Sequence, residues 1–150
     1  MSATLTFDDS LWPLIVFRFT GVMTGPQYEQ FLTRSSAYLE RGEKYVCITD
    51  VSQAGLPPLA QCRRLAEWIR THDAALHERV LGNAVLVTTA PLRLSMSLVF
   101  HLKPPPMPHV AVSNMDSAVD FVTGKLREAG FLAEAERIRR HLAAPSSRVG

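Results

Sequence analysis

Apolar positions along the chain form two patterns: short dense runs, and longer stripes at helical spacing. The dense runs are Leu14-Ile15-Val16-Phe17-Arg18-Phe19-Thr20, Lys44-Tyr45-Val46-Cys47-Ile48-Thr49-Asp50-Val51-Ser52 and Val80 to Thr88. β-Branched and aromatic runs of this length, with little strict alternation, predict strands covered on both faces. Residues 3–7 form a weaker run. Asp8-Asp9-Ser10 supplies turn chemistry and Trp12-Pro13 leads into the next run, so the first two strands are expected to pair as an edge hairpin. A last short strand is expected at His109-Val110-Ala111-Val112.

The stripes fall between the runs. Thr24-Gly25-Pro26-Gln27 combines a capping residue, a first-turn proline and a glutamine three positions after the cap. That predicts a helix start, with Tyr28, Phe31, Leu32, Ser35 and Leu39 inward and Arg41-Gly42 as the stop. After the proline-rich loop Gln53 to Pro58, residues Cys62, Leu65, Ala66, Ile69 and Leu76 make one stripe with Trp68 at its edge, and Arg63 and Glu67 are spaced to pair. Thr89-Ala90-Pro91 opens a short apolar helix with Leu92, Met96, Val99 and Phe100 inward, and Lys103-Pro104-Pro105-Pro106 ends it. The proline run reads as a stiff connector. Asn114 and its neighbours cap a helix bearing Ala118, Phe121, Val122 and Leu126, and Gly130 breaks it. Leu132, Ala135, Ile138 and Leu142 continue as a separate amphipathic helix over 131–142, with 143–150 as a flexible tail. The expected fold is α/β, a mixed sheet of about five strands flanked by helices in the order β-β-α-β-α-β-α-β-α-α, with one domain over 1–130.

Bulk properties narrow the class. At 150 residues, with 47% hydrophobic and 20% charged positions, the chain suits one soluble domain with a real core. No apolar run reaches the ~18–20 residues of a membrane span, and Met1 to Leu5 lacks the basic and apolar regions of a secretory signal, which points to a cytoplasmic protein. Cys47 and Cys62 are the only cysteines and both fall on apolar faces, as reduced core residues do. Residues 125–150 hold six Lys or Arg against three Glu, while the first 124 hold ten against eleven acids. That excess is too local for a nucleic-acid surface, which needs a basic stripe with interleaved aromatics.

Candidate chemistry is sparse. His72 and His77 are five apart, on different faces of one helix, and no Cys or acid completes a metal set. No Gly-x-Ser-x-Gly elbow or glycine-rich phosphate loop is present, and Ser95 and Ser97 lie inside an expected helix. Neither a catalytic residue nor a cofactor or metal is predicted. What remains is the carboxyl rim of the sheet, where α/β proteins usually meet ligands and partners. There Asp50 and Ser52 follow one strand, and Thr88, Thr89 and Arg93 follow the next. Asp50 and Ser52 read either as loop formers through local hydrogen bonds or as a switch, since a phosphorylated hydroxyl adds about −1.5 to −2 charges. Trp68, among arginines, reads either as half-buried core or as an interface anchor.

Residues 3–130 resemble the SpoIIAA-like superfamily, which contains the STAS anti-sigma-factor antagonists and the Sec14-type lipid carriers. The likeness is carried by the early strand pair, Gly21 before the first helix, Tyr45 to Ser52, the helix with Ala66-Glu67-Trp68, and the Ala84 to Thr88 strand. It implies a non-catalytic regulatory module of bacterial signalling that docks a protein partner through the loop and helix after the Tyr45 to Ser52 strand, with a serine there as a phospho-switch. With the rim reading this makes Asp50, Ser52, Trp68 and Arg93 the candidate contact or switch residues, and the apolar stripe of the C-terminal helix could cover a second subunit in a homodimer. The family's phospho-acceptor motif is Asp-Ser-Ser-Gly. Here Asp50-Val51-Ser52-Gln53-Ala54-Gly55 keeps acid, serine and glycine in order, with longer spacing and no second serine. The alternative implied is a carrier of a small apolar ligand or lipid, with Leu92 to Phe100 as a lid. An enzyme would need a perturbed acid or base in a cleft.

Overall fold

The computed structural model describes residues 3–149, with side chains described through residue 142. Five strands form one sheet in the order β1 (Thr4–Asp8), β2 (Leu14–Gly21), β3 (Tyr45–Ala54), β4 (Val80–Leu86) and β5 (His109–Val112). β1 runs antiparallel to β2 and closes one edge, while β2 to β5 are mutually parallel. The hairpin turn is held as its sequence suggests, with the Asp8 carboxylate accepting from the Ser10 backbone N–H and hydroxyl. Mixed α/β architecture and strand order agree with the expected fold.

Parallel neighbours require crossover helices, which cover both faces. One face carries α1 (Gly25–Glu40), α2 (Leu59–Thr71), α3 (Asp73–Arg79) and α4 (Ala90–Leu102). Its core joins Ile15, Phe17 and Cys47 of the sheet to Leu32, Ile69 and Val99 of the helices. The other face carries α5 (Met115–Glu128) and α6 (Leu132–Val149), whose Val122, Leu126, Ala135 and Ile138 pack with Leu14, Val16, Val46 and Ile48. Alternation along β2 and β3 thus divides each strand between two cores, which explains why the runs are apolar throughout. α5 lies so close to the sheet that a Cβ on Gly82 would meet Lys125 Cγ at 2.9 Å and Phe121 Cε2 at 3.0 Å.

The capping box of α1 is complete: Gln27 N–H donates to Thr24 Oγ1 at 3.2 Å and Thr24 N–H to Gln27 Oε1 at 2.8 Å. Asn114 caps α5 by accepting from Ser117 N–H.

Three details differ from expectation. The single helix expected through Leu76 is divided at His72 into α2 and α3. There the imidazole Nδ1 engages the Trp68 carbonyl at 2.9 Å and the ring stacks on the Trp68 indole, giving the end of α2 a side-chain partner. Glu67 pairs with Arg64, not Arg63, because Arg64 also reaches Glu29 of α1 at 2.8 Å and ties the two helices together. The backbone of α6 continues as helix to Val149, through the segment read as a tail. The side chains of 143–150 lie outside the described residues, as does the question of their flexibility.

Candidate functional site

The carboxyl rim of β3 is shaped by a bulge. Arg18 pairs with Asp50 and Thr20 with Gln53, so Val51 and Ser52 together oppose Phe19. A bulge leaves an unpaired residue and bends the strand. Here the Asp50 carboxylate holds it, with Oδ1 accepting from Ser52 N–H at 2.9 Å and from Ser52 Oγ–H at 2.6 Å. Arg18 Nε stands 3.6 Å from Asp50 Oδ2. The local hydrogen-bonding role read from Asp50 and Ser52 is therefore present, within a strand that runs on to Ala54 and not in a loop. Both residues lie on the α5 side of the sheet, where Thr6 and Arg18 continue the face.

This geometry gives the switch candidate a measurable consequence. Ser52→Asp sets a second carboxylate against Asp50 in place of a hydroxyl donor. Two like charges held about 4 Å apart on one strand repel by roughly 1 kcal/mol or more, and the variant is expected to lose on the order of 1 kcal/mol at neutral pH by urea denaturation. Ser52→Ala is expected to lose less, because the backbone N–H bond to Asp50 survives.

Trp68 belongs to the interior. It is 8% exposed, and its Nε1–H donates to Ser36 Oγ at 3.0 Å across the α1–α2 contact. Its stacking partner His72 reaches Ser36 Oγ at 3.3 Å through Nε2. Of the two sequence readings of Trp68, the structure takes the core one, because the indole N–H finds a buried partner only by turning inward. Arg93 is exposed on α4 and donates to the Val87 carbonyl at 3.2 Å. Asp50 and Ser52 form one cluster with Arg18; Trp68 and Arg93 are not part of it.

The opposite face of the same rim holds an apolar cavity of about 120 Å³. Thr49 and Val51 of β3 point into it while Asp50 and Ser52 point away. Its walls come from the end of β2, the start of α1, α2 and α4, including Phe19, Met23, Leu65 and Met96. Two loops are clasped beside it. Gly55 N–H donates to the Gly21 carbonyl at 2.9 Å, and a Cβ on Gly55 would come within 2.6 Å of Val22 Cγ2, so a larger residue there would have to push the exposed Val22 side chain aside.

Around this opening the elements leave large apolar side chains in solvent: Val22, Leu56 and Leu59 in or beside the loops, and Leu94 and Leu98 on α4, with Leu94 70% exposed. Leu94, Leu98 and Leu102 recur every four residues and share one side of α4, separate from the inward Leu92 and Val99. This row lies outside the single apolar face, Leu92, Met96, Val99 and Phe100, expected for α4 from its sequence. The available signal was a helix with leucines on two sides, more than one core contact can bury.

Both thiols are free and buried. Burial pushes the Cys47 thiol up to about 12 and raises that of Cys62, and burial likewise raises Tyr28 and Tyr45. A group whose folded pKa lies above its unfolded value stabilises the fold below the unfolded value and loses that contribution as pH rises toward the folded one. From about 8.5, where an unfolded thiol ionises, to about 12, stability is expected to fall. Denaturation midpoints taken at pH 7 and pH 10 check this, and Cys47→Ala should flatten the decline.

Among the described residues no group of three or more His, Cys, Asp or Glu is placed to hold a metal, and no helix is long and apolar enough to cross a membrane. No protein-family model matches the sequence, and comparison with curated proteins gives no match. Solved structures do match. An uncharacterised protein from Shewanella loihica, described as having a SpoIIAA-like fold, superposes with a TM-score of 0.59 at 13% identity, covering 81% of this chain and 94% of that one. An anti-sigma factor antagonist from Mycobacterium paratuberculosis superposes with a TM-score of 0.56 at 15% identity over the same shares. Sheet order, helix placement and these superpositions together establish that the chain has a SpoIIAA-like fold.

Proposed function

We propose that the protein is a non-catalytic regulatory module that docks a protein partner through the carboxyl rim of its sheet. The observation that carries this reading is the set of solvent-exposed leucines at Leu56, Leu59, Leu94 and Leu98 around that rim. Single exposed apolar residues are ordinary, but several on neighbouring elements at one end of a sheet mark an interaction surface. Likeness of fold to an anti-sigma factor antagonist supports the same class of role. The bulge at Asp50 and Ser52 adds a polar flank on the other face, where phosphorylation of Ser52 would replace the hydroxyl donor to Asp50 by a dianion.

The test is pairwise. Leu94→Asp with Leu98→Asp should leave the unfolding free energy within about 1 kcal/mol of wild type, as changes at partly exposed surface positions do. The same double variant should abolish co-purification of a partner that the wild-type chain retains from its own host. Retention of that partner by the double variant overturns the docking surface.

A further inference from the structure

We propose that the cavity beneath α4 is a binding site for a compact, uncharged apolar molecule about the size of one aromatic ring. Size points first to this class. At about 120 Å³ the space is close to the ~150 Å³ apolar cavity known to stay dry and take up benzene. It falls well below the ~300–1,000 Å³ of pockets that hold drug-sized ligands. A lipid with extended acyl chains does not fit it as it stands.

Lining chemistry points the same way. Phe19, Phe31, Met23, Val51, Leu65 and Met96 present rings, branched carbons and thioethers. Two of the polar groups in the wall already have partners: Thr49 Oγ1 donates to Asn83 Oδ1 at 2.9 Å, and the Gln61 amide donates to the Met23 carbonyl at 2.7 Å. No charged side chain lines the space. An ionised ligand would lose its hydration there without compensation, whereas an apolar one loses nothing. Met23 and Met96 line it from different elements, one at the β2–α1 loop and one on α4, and flexible thioethers let a cavity adapt to small guests of differing outline.

Placement also suits uptake. The cavity lies at the sheet's carboxyl end, where α/β folds receive ligands, and it opens to solvent beside α4, which forms one wall. The site stands apart from the docking surface in its requirements, since it uses the inward side of α4, and so neither depends on the other.

The five methionines provide the test. In the full chain labelled with 13C at the methionine methyls, titration with toluene should move the Met23 and Met96 signals saturably, leaving Met107 and Met115 in place. Val51→Phe, which fills the space from the sheet side, should weaken that response at least tenfold. Ser95→Leu fills it from α4, and serves if the strand variant does not fold. Absence of a saturable shift, or equal movement of all methionine signals, overturns the site. Tighter response of the same two methyls to decanoate than to toluene overturns the assigned size and neutrality, because it would show an acyl-chain site with a polar end.

Discussion

Trp68→Ala is expected to destabilise the fold by about 3–5 kcal/mol, the range for removing a large aromatic from a core. Three contacts go together. The indole leaves a void between α1 and α2, Ser36 Oγ loses the Nε1–H donor at 3.0 Å, and His72 loses the ring it stacks on at 4.4 Å between centroids. Since His72 also closes α2, the boundary with α3 should loosen. Against the ~5–15 kcal/mol by which domains are stable, this is a large part of the whole. The melting temperature should fall by roughly 10 °C, taking about 2–4 °C per kcal/mol for a chain of this size. Trp68→Phe keeps most of the packing and loses the one hydrogen bond, so it should cost about 1–2 kcal/mol. Thermal unfolding by circular dichroism separates the two variants; similar midpoints for alanine and wild type would contradict the buried placement. Loss of a partner on Trp68→Ala therefore reports unfolding, and only the α4 leucines test docking cleanly.

Ile48→Ala should be comparably severe, at about 2–5 kcal/mol. Ile48 is fully buried at the centre of the sheet, paired in register with Val16 of β2 and Ala84 of β4, and covered by α5. None of these neighbours is free to collapse: the strands are held on both sides by ladders and α5 already sits against Gly82 with no room to spare. Ile48→Val, one methylene smaller, should cost only about 0.5–1.5 kcal/mol. Urea denaturation of both variants reads the difference, and an alanine cost near that of valine would mean the central strand repacks.

Order and identity of the strands were legible in the sequence because each is a dense apolar run between turn signals, and helix starts were legible wherever a side chain does the capping. Thr24 with Gln27, and Asn114, illustrate local chemistry that needs no tertiary partner. The division at His72 was not legible, since it depends on a ring finding Trp68 and Ser36. Nor was the pairing of Glu67, which follows Arg64 because Glu29 of another helix anchors it.

The candidate site divides in the same way. Asp50 and Ser52 are two residues apart, so their mutual hydrogen bond is a local event and could be read from the chain. That this bond props a bulge, that Asp50 faces Arg18, and that Thr49 and Val51 turn to a cavity on the other face all follow from the register of β3 against β2. Register joins residues more than thirty positions apart, and no periodicity along one segment encodes it. Sequence alone thus determined that this is an α/β sheet with Asp50 and Ser52 at its carboxyl rim. Tertiary packing decided that Trp68 is interior, that a ring-sized apolar space lies behind the rim, and that Leu94 and Leu98 remain in water, because burial of any face depends on what the rest of the chain leaves to cover it.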